Sequence, residues 1–208
     1  MKTLLCFGDS NTWGYDPESG TETRRLPRDV RWPGRLGRAL EDEWEVIAEG
    51  LNGRTATRDD PIWEGRNGLT YLLPCLRSHA PLDLVVIYLG TNDVAERYSL
   101  RAEDVAASVG RLVRVVRTSE TGPAESAPAV LVVCPPPFGR LDPLYAPEGE
   151  KSRELGKSFA LVCEELGCGL LDLDGIAAYS DLDGIHLDPE GHAAVAAAVE
   201  QRVRTLFA

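Results

Sequence analysis

Leu84-Val85-Val86-Ile87-Tyr88-Leu89 is an unbroken apolar run in which nothing alternates. A strand with one wet face alternates polar and apolar side chains. This segment therefore reads as the core of a strand over residues 82–89 that is covered on both faces, as in a parallel sheet flanked by helices. Weaker runs of the same kind occupy residues 3–7, 44–48, 129–134 and 169–173. Helical patterns separate them. Pro33 suits the first turn of a helix over 33–43. Residues 69–79 are helical in pattern, but Pro74 predicts a kink or two short helices. Over 102–117, Val105, Val109, Leu112, Val113 and Val116 follow a 3.6-residue period. A helix over 148–166 would end at Gly167, a natural C-cap. The last helix opens with Asp188 as N-cap and Pro189 at the first position.

Strand and helix alternating five times predict one α/β domain over residues 1–208. Its form would be a three-layer α/β/α sandwich on a five-stranded, mostly parallel sheet. Ligands of such sheets collect at the carboxyl ends of the strands. Two long irregular segments, 16–31 and 135–147, exceed the usual connection length, and such loops are generally functional or contact-forming.

Composition narrows the function. Thirty-three acidic against 22 basic residues give a net charge of −11, with no dense Lys/Arg block, so nucleic acid is not an expected partner. Cys6, Cys75, Cys134, Cys163 and Cys168 are odd in number and without CxxC spacing, which suggests reduced thiols rather than a disulfide framework or a zinc knuckle. The apolar run at 3–7 is too short for a secretory segment, and no stretch reaches membrane-spanning length. A soluble, cytoplasmic protein is the expectation.

Three short motifs carry the chemistry. Gly8-Asp9-Ser10-Asn11 follows the first strand, and Gly90-Thr91-Asn92-Asp93 follows the strongest one. Asp183-Gly184-Ile185-His186 precedes the last helix. A serine hydroxyl is a poor nucleophile until a base accepts its proton. Of three histidines, His79 ends a helix and His192 sits inside one. His186 lies in a loop with Asp183 three residues before it, where a carboxylate can turn back to Nδ1 and leave Nε2 for Ser10. Asp181 is the rival carboxylate. Asn92 offers an amide NH2 to an oxyanion, although asparagine also suits turns. The N–H groups of Ser10 and of Gly53, in Gly50-Leu51-Asn52-Gly53-Arg54-Thr55, are further donors. The histidines form neither HxH nor HExxH, so no metal is expected.

These blocks, in this order, resemble the SGNH/GDSL hydrolase superfamily. The likeness extends to its small bacterial arylesterase and acyltransferase branch through residues 6–15, Asp29-Val30-Arg31-Trp32, 49–55 and 131–137. Asn11 stands where the GDSL name has leucine. The resemblance implies a flavodoxin-like sheet, with Ser10 as nucleophile, His186 as base then acid and Asp183 orienting it. Ser10, Gly53 and Asn92 would form the oxyanion hole, with no cofactor. It also implies a large homo-oligomer, up to an octamer, with segments 16–31 and 135–147 at the contacts.

The expected reaction is hydrolysis of short acyl esters, acetyl to butyryl, of aryl or alkyl alcohols, with possible transfer of the acyl group to alcohols. Asn11, Trp13, Tyr15, Val94 and Ile185 are the candidates to contact this small-molecule substrate. A carbohydrate O-acetyl esterase is the alternative within the superfamily. A non-catalytic flavodoxin-like binding domain explains the strands equally well, but gives no reason for Asn92 or for the Asp183–His186 spacing.

Overall fold

The computed structural model describes all residues except Glu22 and 142–144, so those parts of the two long segments lie outside the described residues. In chain order the elements are β1 (Lys2–Gly8), α1 (Ser10–Trp13), α2 (Trp32–Ala39), β2 (Trp44–Gly50), α3 (Gly68–His79) and β3 (Leu84–Tyr88). There follow α4 (Ala102–Arg117), β4 (Ala129–Cys134), α5 (Ala146–Arg153), α6 (Leu155–Leu166), β5 (Gly169–Asp172) and α7 (Pro189–Leu206).

The sheet has the order β2-β1-β3-β4-β5, and every pair is parallel. Leu5 of β1 sits opposite Ile47 on one side and Val85 on the other. Helices α2 and α7 pack together on one face, and α4 packs against α6 and α3 on the other. All five residues of β3 are buried, which explains why that run lacks alternation. No helix among the described residues is long and apolar enough to cross a membrane.

Two helices depart from the sequence pattern. α3 runs unbroken through Pro74, because that proline lies on the exposed side, where the hydrogen bond it cannot make costs least. The segment expected as one helix over 148–166 is two, α5 and α6, turning at Glu154. The turn seats Gly156 against Asp172, where a Cβ would come within 2.5 Å of the carboxylate.

Strand order reverses between β1 and β3, and this opens the crevice that holds the site. The short α1 begins directly at the end of β1. Only glycine fits at residue 8, since a Cβ there would meet Thr12 Oγ1 at 2.1 Å. Ser10 is thus held at the mouth of the crevice, opposite the segment that leaves β3 with Asn92.

Candidate active site

His186 reaches the crevice from the loop before α7, whose start is fixed by the Asp188 side chain accepting from Gly191 N–H at 2.8 Å. His186 Nε2 lies 3.0 Å from Ser10 Oγ, and Nδ1 lies 2.8 Å from Asp183 Oδ2. The other carboxylate oxygen of Asp183 accepts the backbone N–H groups of Ile185 and His186, both at 3.0 Å. Burial alone would raise the Asp183 pKa. The hydrogen bonds from the His186 ring and from these two N–H groups outweigh burial and hold it below the usual carboxylate value. Asp181 is exposed, and Asp183 is the carboxylate on the ring.

Asn92 Nδ2 donates to the Arg54 carbonyl at 3.0 Å. An amide NH2 carries two hydrogens, so one remains for a ligand. The same bond draws in Gly53, the residue before Arg54, whose φ of +70° suits glycine. Arg54 is tied down in turn: its Nη1 donates to the carbonyls of Gly8, at 2.8 Å, and Glu49, and its guanidinium stacks 4.3 Å over the Phe7 ring.

Of the five residues expected to contact substrate, one lines the crevice. Ile185 shares a cavity of about 440 Å³ with Ser10, Asn92, His186, Phe138, Arg140 and Glu148, among others. Asn11 is 1% exposed and turned to the catalytic loop, where it donates to the Ile185 carbonyl at 3.1 Å and accepts from Leu187 N–H at 2.9 Å. Tyr15 stacks on the imidazole of His186, with ring centroids 4.0 Å apart and planes 24° apart. Trp13 packs under the Arg25 guanidinium at 4.9 Å. Val94 is 1% exposed, a core residue whose carbonyl accepts from Lys151 Nζ at 2.8 Å. Closeness to a motif in the sequence signalled these residues, but Asn11, Trp13, Tyr15 and Val94 do not line the cavity.

The sequence pattern gave no sign of Phe138, Arg140, Leu141, Tyr145 and Glu148, which form the cavity's far wall. His79 ends α3 and is half-buried, with Nε2 at 2.8 Å from Glu49 Oε1. His192 is structural: it is fully buried, its Nδ1 accepts from Trp32 N–H, and burial lowers its pKa to about 3.

Two carboxyls lie buried beneath the crevice. Burial raises the Asp9 pKa to about 6, partly offset by the Asn11 N–H and the charge of His186. Burial, reinforced by the Asp9 charge, raises that of Asp93 to about 7, although both its oxygens accept from Ala56 N–H.

The sequence profile of the GDSL-like Lipase/Acylhydrolase family matches residues 6–194, which spans every block of this site. The chain belongs to the GDSL-like lipase/acylhydrolase family. Among solved structures, the native aryl esterase of M. smegmatis is similar at 38% identity and a TM-score of 0.93, covering 99% of this chain and 100% of that one. Est24, a carbohydrate acetylesterase from Sinorhizobium meliloti, is 36% identical, with a TM-score of 0.92 and coverage of 99% and 100%. None of the curated protein sequences matches the chain. Like other GDSL-like acylhydrolases, the chain is a carboxylic ester hydrolase.

Proposed function

We propose that this GDSL-like enzyme hydrolyses short acyl esters, acetyl to butyryl, through an acyl-enzyme on Ser10. The relay Asp183–His186–Ser10, ending on the wall of the cavity, is the observation that carries the reading. Ser10 Oγ attacks the ester carbonyl while its proton passes to Nε2 of His186, and Asp183 stabilises the imidazolium that forms. The N–H groups of Ser10 and Gly53 and the free hydrogen of Asn92 receive the oxyanion, each donor contributing roughly 3–4 kcal/mol. His186 returns the proton to the departing alcohol. Water, or a second alcohol, then repeats the steps on the acyl-enzyme and frees Ser10. A volume of about 440 Å³ suits a short acyl chain with a ring-sized alcohol.

Labelling by a fluorophosphonate that is lost in Ser10→Ala tests the nucleophile. A panel of nitrophenyl esters tests the chain length: equal turnover of acetyl and palmitoyl esters would overturn the short-acyl reading.

A second reading, removal of acetyl groups from carbohydrates, is favoured by the charged mouth of the cavity. Arg140 and Glu148 there suit hydroxyl partners, and the exposed Tyr145 ring offers a surface for a sugar face. Acetylated xylose turned over faster than phenyl acetate at matched concentration would select it. We further infer self-association into a homo-oligomer, supported by the exposed side chains of Ile62, Trp63 and Leu182. A monomer in light scattering at micromolar concentration would refute this. Five free cysteines, with Cys163 and Cys168 in side-chain contact yet unbridged, support a reducing, cytoplasmic setting.

A further inference from the structure

Behind the oxyanion side of the crevice, α3 presents Tyr71, Cys75 and His79 at successive four-residue steps, so all three lie along one stripe of the helix. That stripe faces Glu49, the penultimate residue of β2. His79 Nε2 stands 2.8 Å from Glu49 Oε1, and the Tyr71 hydroxyl donates to Glu49 Oε2 at 3.1 Å. One donor atom each of Glu49, Cys75 and His79 lies within 4.8 Å of the other two. We propose that Glu49, Cys75 and His79 form a binding site for a thiophilic divalent cation, zinc or its chemical analogues, separate from the ester chemistry.

The donor set suits such an ion. Thiolate, imidazole and carboxylate are the ligands zinc takes, at about 2.0–2.3 Å, and three protein ligands leave a fourth position for water. These bond lengths put tetrahedral donors roughly 3.3–3.8 Å apart, so Glu49 and His79, now at 2.8 Å, must part, and no donor pair need close from beyond 4.8 Å. Rotation of the Glu49 side chain, whose hydrogen bonds among the described residues go to His79 and Tyr71, adjusts its distance to the other two donors. Glu49 also lines a separate surface cavity with Arg54 and Tyr71, so an ion from solvent meets the carboxylate first.

Charge favours a cation once the Cys75 proton has left. The guanidinium of Arg54 lies nearby, 5.4 Å over the Tyr71 ring, and supplies one positive charge. Ionised Glu49 and a Cys75 thiolate supply two negative ones. Burial, together with the charge of Glu49, pushes the free Cys75 thiol up to about 12, so the metal-free protein keeps the proton there. Binding releases that proton to solvent. The imidazole proton moves from Nε2 to Nδ1, and Nε2 bonds the ion. No oxidation state changes.

Cobalt(II) titrated into the purified protein is the test. The expected result is a near-ultraviolet thiolate-to-cobalt band at one ion per chain, with the visible bands of a four-coordinate ion, both bleached by zinc. Cys75→Ser should lose the near-ultraviolet band, and His79→Gln should weaken cobalt binding by at least about tenfold. Ser10→Ala should give the wild-type spectrum. No near-ultraviolet band in the wild type, or an undiminished one in Cys75→Ser, overturns the proposal. The second outcome would assign the cobalt to another thiol, such as Cys168. Should Cys75→Ser fail to fold, Glu49→Gln and His79→Gln decide: wild-type affinity in both refutes the site.

Discussion

Replacing Asn11 with alanine separates a positioning role from substrate contact. The Asn11 side chain joins the turn after β1 to both sides of His186, through the Ile185 carbonyl at 3.1 Å and the Leu187 N–H at 2.9 Å. Alanine removes one buried and one part-buried hydrogen bond and leaves two backbone groups unmatched, at about 1–3 kcal/mol apiece. A cost of about 2–6 kcal/mol follows unless the loop opens to water, and opening moves the imbalance onto the position of His186. Displacement of a reacting group by about an ångström costs about a hundredfold in rate. With nitrophenyl acetate, Asn11→Ala should therefore lower kcat by about 10–100-fold and leave KM within about threefold. The rate of fluorophosphonate labelling should fall in parallel, because it reports activation of Ser10 with little demand on the cavity. Unchanged kcat with a raised KM would refute the reasoning and return Asn11 to the substrate.

Asp183→Asn, which leaves His186 with an amide partner in place of the carboxylate, should cut kcat by about 10⁴; a loss below about tenfold would remove Asp183 from the relay. Asn92→Ala should lower kcat by about 10²–10³ in steady-state assays, and a change confined to KM would contradict an oxyanion role. Stability should fall as pH rises from about 4 to about 7. Asp9 and Asp93 have raised pKa values in the folded chain, so their contribution is complete below the unfolded carboxylate pKa of about 4 and is lost through about 6 and about 7. The Asp93 rise corresponds to about 4 kcal/mol, and Asp93→Asn, which keeps an oxygen for Ala56 N–H, should flatten the profile in thermal melts between pH 5 and 8. Identical profiles for variant and parent would sink that account. Asp183 acts in the opposite sense: its lowered pKa gives stability present above about pH 4 and lost as pH falls through its folded value.

Much of this protein was written locally. Continuous apolar runs marked β1, β3 and β4, because strands covered on both faces need no polar alternation, whereas the edge strands β2 and β5 carry Glu45, Glu49 and Asp172; Asp188-Pro189 marked the start of α7 by capping chemistry alone. Asp183 and His186 were legible as a pair because a three-residue turn brings a carboxylate to its imidazole by itself. Ser10 was legible through the motif that ends β1. What local pattern does not encode is the direction of a side chain once distant segments meet. The partners of Asn11 stand 174 and 176 positions along the chain, and Tyr15 stacks on a ring from the same remote loop. Val94 turned into the core, and the far wall of the cavity came from Phe138, Arg140, Leu141, Tyr145 and Glu148, whose role depends on where the sheet edge sets them. The residue types and their order thus determined the fold class and the reacting groups. Only the packing of β1 against β3, which makes the crevice and aims side chains into or away from it, decided which residues line the cavity and which hold His186 in place.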